Sequence, residues 1–98
     1  MRVRGPSDRP PFSIGHSELF EEAVFILQRQ FPFIDDAVQN TEWLLGRAPF
    51  NNERCPAFEG RNLFIALAPK TPRSPALRFL YEVGDQKVFL WHLSVREI

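Results

Sequence analysis

The last third of this chain, LRFLYEVGDQKVFLWHLSVRE, limits its possible folds more than any other stretch, because two alternating apolar runs flank Gly84, Asp85 and Gln86. On the first run Leu77, Phe79, Tyr81 and Val83 fall on odd positions, with Arg78 and Glu82 among the even ones; on the second, Phe89, Trp91, Leu93 and Val95 are again odd. Strand side chains point alternately to opposite faces, so a period of two predicts a sheet with one buried face. The two runs therefore predict an antiparallel hairpin. A three-residue loop at Gly84, Asp85 and Gln86 pairs Val83 with Lys87, keeps both apolar sets on one face and sets Arg78 opposite His92. A two-residue loop puts Arg78 on the face of Trp91, since a slip of one residue exchanges the faces of a whole strand. The hydrophobic pattern favours the longer loop, with Tyr81 and Trp91 both in the core rather than serving as stacking platforms.

Upstream the period changes. From Ser17 the residues Leu19, Phe20, Ala23, Val24, Ile26 and Leu27 recur at three- and four-residue spacing, with Glu18, Glu21 and Glu22 near the start, where a helix dipole favours acids. Ser17 is the natural N-cap. Pro32 interrupts the pattern, and Ile34, Val38, Leu44 and Leu45 mark a second amphipathic helix ending near Gly46. A strand through Phe12, Ser13 and Ile14 after Pro11 is predicted at a sheet edge, because proline cannot donate to a ladder. Residues 62–68 form an apolar run suited to a strand buried on both faces. The loop APKTPRSP is stiffened by proline, exposed, and made positive by Lys70 and Arg73. The fold class is therefore α+β, an N-terminal edge strand and a helical hairpin packed on a small, mainly antiparallel sheet. Residues 1–10 read as a flexible arm and residues 11–98 as a single domain.

Ninety-eight residues with 44% hydrophobic content suffice for one core. No apolar run approaches the roughly 20 residues that cross a bilayer, and the first residues lack the apolar stretch of a signal peptide, so a cytoplasmic protein without membrane contact is expected. Cys55 is the sole cysteine, and His16 and His92 are far apart, so neither a metal site nor a cofactor is expected. Twelve basic and twelve acidic residues cancel, which argues against a surface that binds nucleic acid all round. The charges are nevertheless segregated. Glu18, Glu21, Glu22, Asp35, Asp36 and Glu42 face only Arg29 in residues 11–42, whereas Arg47, Arg54, Arg61, Lys70, Arg73 and Arg78 outnumber Glu53 and Glu59 in residues 43–81.

This order of elements, with RFLYEVGDQKVFLWHLSVRE at the end and the amphipathic FEEAVFILQRQFP near the start, resembles the RelE/ParE superfamily of bacterial toxins. The resemblance spans most of the chain from Phe12 onward. It implies the toxin of a type II toxin–antitoxin module, an mRNA interferase that cuts translated messenger RNA on the ribosome and is silenced by a cognate antitoxin protein. In such chemistry the ribose 2′-hydroxyl attacks the neighbouring phosphate. By resemblance Arg78 contacts the scissile phosphate, Arg96 is a second cation, and His92 is a general acid or base, helped by an ordinary pKa near neutrality. Lys70, Arg73 and Arg61 are the implied RNA-binding residues.

A second reading is a non-nucleolytic ParE-like or degenerate toxin that binds a protein target, or only its antitoxin. The apolar segment NLFIALA, which carries no base between Arg61 and Lys70, favours this class. A third is an unrelated α+β interaction protein. Each site residue also has an ordinary role open to it: Arg78 can lay its stem over Leu80 and Leu90, His92 can be a half-buried strand residue, and Lys70 and Arg73 can be solvated loop charges.

Overall fold

A computed structural model of the protein describes residues 12–55 and 60–96, and the arm expected over residues 1–10 lies outside them. The elements run β1 (Ser13–His16), α1 (Glu18–Gln30), α2 (Ile34–Arg47), β2 (Glu53–Arg54), β3 (Leu63–Ala68), β4 (Leu77–Gly84) and β5 (Lys87–Val95). The strands form one sheet in the order β1-β5-β4-β3-β2. Only the edge pairing of β1 with β5 is parallel; the remaining pairs are antiparallel. The expected α+β architecture is thus the observed one. No helix among the described residues is long and apolar enough to cross a membrane.

Local chemistry accounts for the helices. Ser17 has extended backbone angles, and its hydroxyl accepts from the amide of Phe20, as an N-cap should. The α1 face that carries Phe20, Ala23, Val24 and Leu27 packs on the sheet. The helix stops before Pro32, with the Phe31 amide closing on the carbonyl of Leu27 at 2.8 Å. No side chain caps α2, but Asp35 and Asp36 sit in its first turn and oppose the positive end of the dipole. The glycine stop expected at Gly46 is not used. The helix runs through it to Arg47, and the buried Gly46 accepts from the amide of Phe12, tying the start of β1 to the end of α2.

The core lies between the helices and one sheet face. Leu77, Phe79, Tyr81 and Val83 of β4 are all buried there with Phe64, Ala66 and Ala68 of β3 and with Phe20, Ile34, Val38 and Leu45 of the helices. Each large apolar side chain so buried contributes about 1.5–3 kcal/mol. Tyr81 adds a polar anchor. Its hydroxyl donates to the carbonyl of Pro49 and accepts from Nδ2 of Asn52 at 3.0 Å, fastening the segment after α2 to the centre of the sheet.

The hairpin register differs from expectation. The loop has two residues, Asp85 and Gln86, with Gly84 paired to Lys87 and Val83 to Val88. Gln86 takes the left-handed conformation, at φ 56°, that lets so short a loop close. Arg78 accordingly lies opposite Ser94, not His92. The burial objection to a two-residue loop is removed by a β-bulge. Tyr81 pairs with Leu90 and Leu80 with His92, which leaves Trp91 as the extra residue. Before the bulge Val88 and Leu90 are buried; after it the parity reverses and Leu93 is. Phe89 and Trp91, expected in the core, stand outside it. The strand expected to be buried on both faces also departs: Leu67 is 48% exposed, because it pairs with Arg78 on the sheet face opposite the helices.

Candidate functional site

Among the described residues the two helices cover one face of the sheet and leave the other open. The register puts Leu63, Ile65 and Leu67 of β3, Arg78, Leu80 and Glu82 of β4, and Phe89, His92 and Ser94 of β5 on this open face, Leu63 being buried at its edge. Beyond β5 the amide of Arg96 still donates to the carbonyl of Ala76 at 2.8 Å, so the alternation continues and Arg96 takes the next position on that face. Arg78 therefore stands across from Ser94, with His92 and Arg96 two residues to either side of it. Arg78 and His92 are exposed and Arg96 is half-buried. Among the described residues none of the three has a salt-bridge partner. Glu82 lies four residues from Arg78 on the same strand, roughly 13 Å away. The three bases thus share a face even though their pairing is not the expected one.

The bulge has a second effect. Neighbouring strand residues ordinarily point to opposite faces, but here Trp91 and His92 share one: Trp91 reaches Glu82 through its indole N–H at 3.0 Å, and His92 sits opposite Leu80. Glu82 also receives two bonds from Arg61, from Nε at 3.2 Å and Nη2 at 2.6 Å, in the forked geometry that suits a guanidinium and a carboxylate. Arg61 and then the Trp91 N–H hold the Glu82 carboxyl below its ordinary pKa, and the bond to Glu82 raises that of Arg61. The guanidinium lies 5.5 Å from the Trp91 ring centre, and Phe89 meets the indole edge-on with centroids 4.8 Å apart.

The six residues singled out from the sequence fall into separate places. Arg78, His92 and Arg96 gather on the open face, and Arg61 joins them there with its charge matched by Glu82. Arg73 turns instead to the start of α2, 3.7 Å from Asp36 and over the ring of Phe33 at 4.3 Å. There it lines a groove of about 550 Å³ between α2 and β3, with Phe33, Leu44, Leu67 and Asn51. Lys70 is exposed on the same loop. Two features escaped the sequence reading. One is the outward Trp91, which nothing in an unbroken apolar run marks. The other is His16, whose Nε2 meets Glu42 at 2.7 Å and whose ring stacks on Phe20, joining β1 to both helices. Among the described residues, no group of three histidine, cysteine or acidic side chains is placed to hold a metal ion.

Chemically, the open face offers two arginines and an imidazole around Ser94, next to an aromatic and guanidinium cluster. The two guanidinium groups can hold a phosphate and stabilise charge that develops on it. Compared with family models, curated proteins and solved structures, the chain matches none.

Proposed function

We propose that this protein acts on RNA through the open sheet face, as the toxin of a type II toxin–antitoxin module and an endoribonuclease on translated messenger RNA. The observation that carries this reading is the triangle of Arg78, His92 and Arg96 around Ser94 on a face clear of the helices. A phosphate over Ser94 meets one guanidinium group from β4 and one from the residue that follows β5. The ribose 2′-oxygen attacks the phosphorus and gives up its proton as the P–O5′ bond breaks, and the departing 5′-oxygen takes a proton. His92 serves one of these transfers and water the other, while Arg78 and Arg96 stabilise the extra negative charge. The protein then works in the cytoplasm beside the ribosome, and its antitoxin covers the helical hairpin and the basic face.

The test is to map messenger RNA 5′ ends in a bacterial translation extract after adding purified protein, with Arg78→Ala as the paired control and circular dichroism to show that the variant is folded. New ends inside translated codons, lost with the variant, support the reading. Uncut messenger RNA under conditions that arrest growth selects the second reading, a non-nucleolytic toxin that binds a protein target. That alternative draws on the pairing of Arg61 with Glu82 and of Arg73 with Asp36, which leaves fewer uncompensated cations for a polyanion.

A further inference from the structure

The open face presents more than charge. Trp91 is turned outward by a bulge, held at its N–H by Glu82, and flanked by a guanidinium that the same carboxylate grips with two bonds. An arginine fixed in this way is a poor phosphate ligand, because its charge is already answered. It is a good flat surface, because the fork holds its plane still. Beside it the indole is half-buried and braced edge-on by Phe89. Among the described residues the adjoining Arg78, His92 and Arg96 have no carboxylate partner, so the two arginines keep their charge unmatched there. Trp91 precedes Ser94 by three residues, which is roughly 7–10 Å along a bulged strand. A flat π-surface at that distance from two arginines unmatched among the described residues, with an imidazole beside them, matches a nucleotide with its base turned out.

We infer that Trp91 and Arg61 form a base-stacking platform, so that the open face takes single-stranded RNA with an unpaired base on the indole and the adjacent phosphate among Arg78, His92 and Arg96. This rests on the reading of the face as an RNA site and adds the strand form it accepts. Base planes are accessible only where the strand is unstacked, so a duplex offers the platform nothing. Glu82 is then a positioning residue, acting through Trp91 and Arg61 rather than on the ligand.

The chain has two tryptophans, and Trp43 lies on α2, so Trp43→Phe leaves Trp91 as the sole indole reporter. In that background, binding of an oligouridine strand is followed by fluorescence and compared with an abasic ribose-phosphate strand of equal length and with a duplex. The expected result is quenching by oligouridine and binding about tenfold tighter than to the abasic strand. Trp91→Leu removes that difference, and Arg78→Ala weakens both strands alike. Equal binding of the two strands without quenching overturns the platform while leaving a phosphate-binding face intact. Absence of binding to every strand overturns the RNA reading and the platform with it. Because the comparison of strands needs no change at Trp91, it stands even if Trp91→Leu fails to fold.

Discussion

The hydroxyl of Ser17 donates to the carbonyl of Trp91 at 2.6 Å, joining the start of α1 to the bulge that shapes the open face. The same oxygen accepts from the amide of Phe20 at 3.0 Å, and the Ser17 amide donates to the carbonyl of Leu90 at 2.9 Å. One residue thus ends the β1–β5 ladder, starts the helix and satisfies a bulge carbonyl.

Ser17→Ala deletes the cap and leaves the Trp91 carbonyl without its partner. The expected loss is about 2 kcal/mol, since caps and buried hydrogen bonds are each worth about 1 kcal/mol. Urea unfolding measures it, and a loss within a few tenths of a kcal/mol would show that water replaces the hydroxyl at both groups. If the bulge relaxes in the variant, the Trp91 fluorescence shifts as well.

This link also shows where the sequence stops being legible. The helices, the Ser17 cap and the four inward residues of β4 could be read locally, because each depends on neighbours within a few positions. The register of β5 could not. Val88, Phe89, Leu90 and Trp91 are all apolar, so alternation fits either parity, and the loop has no glycine or asparagine at its left-handed position. The bulge is held from Ser17, 74 residues away in the chain. Arg78 and His92 lie on one face under either register because the short loop and the bulge each shift the parity by one. The contacts of Arg73 were illegible for a similar reason: those with Asp36 and Phe33 arise only once the loop folds over α2.

Tyr81 is fully buried, and burial pushes its hydroxyl up to about 12, with the bond from Asn52 opposing the shift. A group whose folded pKa is raised contributes stability below its unfolded pKa, near 10, and loses it as the pH rises through the folded value. The protein is therefore expected to weaken between about pH 10 and pH 12, and Tyr81→Phe to show less of this slope. Tyr81 is the only tyrosine, so phenolate absorbance reads it directly. A midpoint near 10 in the folded protein would mean that the hydroxyl is open to water.

On the open face, Glu82→Gln keeps an oxygen for the Trp91 N–H but removes the charge that holds Arg61. The Glu82 carboxyl lies below its ordinary value of 4.5, first through Arg61 and then through Trp91. A depressed carboxylate contributes stability above its unfolded pKa and loses it as the pH falls through the folded one. The variant is therefore less stable than the parent at neutral pH, and the gap closes as the pH falls below 4.5 and through the lower folded value. Unfolding curves of both proteins at several pH values test this; a gap independent of pH would assign the loss to packing rather than charge.

Gln86 is the only non-glycine residue with positive φ among those described, at 56°. A side chain in this region brings Cβ toward the following carbonyl at a cost of roughly 1–2 kcal/mol, which glycine avoids while losing about 0.5–1 kcal/mol of its greater freedom in the unfolded chain. The interactions made here use the main chain: the Gln86 carbonyl accepts from the amide of Ser13 at 3.0 Å and holds the start of β1. Gln86→Gly retains that bond and converts the loop to Asp-Gly, so it should raise stability by about 0.5–1 kcal/mol. Gln86→Val should lower it, since a β-branched residue is a true outlier at positive φ. Opposite shifts in the urea midpoint of the two variants would confirm the two-residue loop, and with it the register that sets Arg78 across from Ser94. Equal losses from both would mean that the glutamine side chain itself holds the turn.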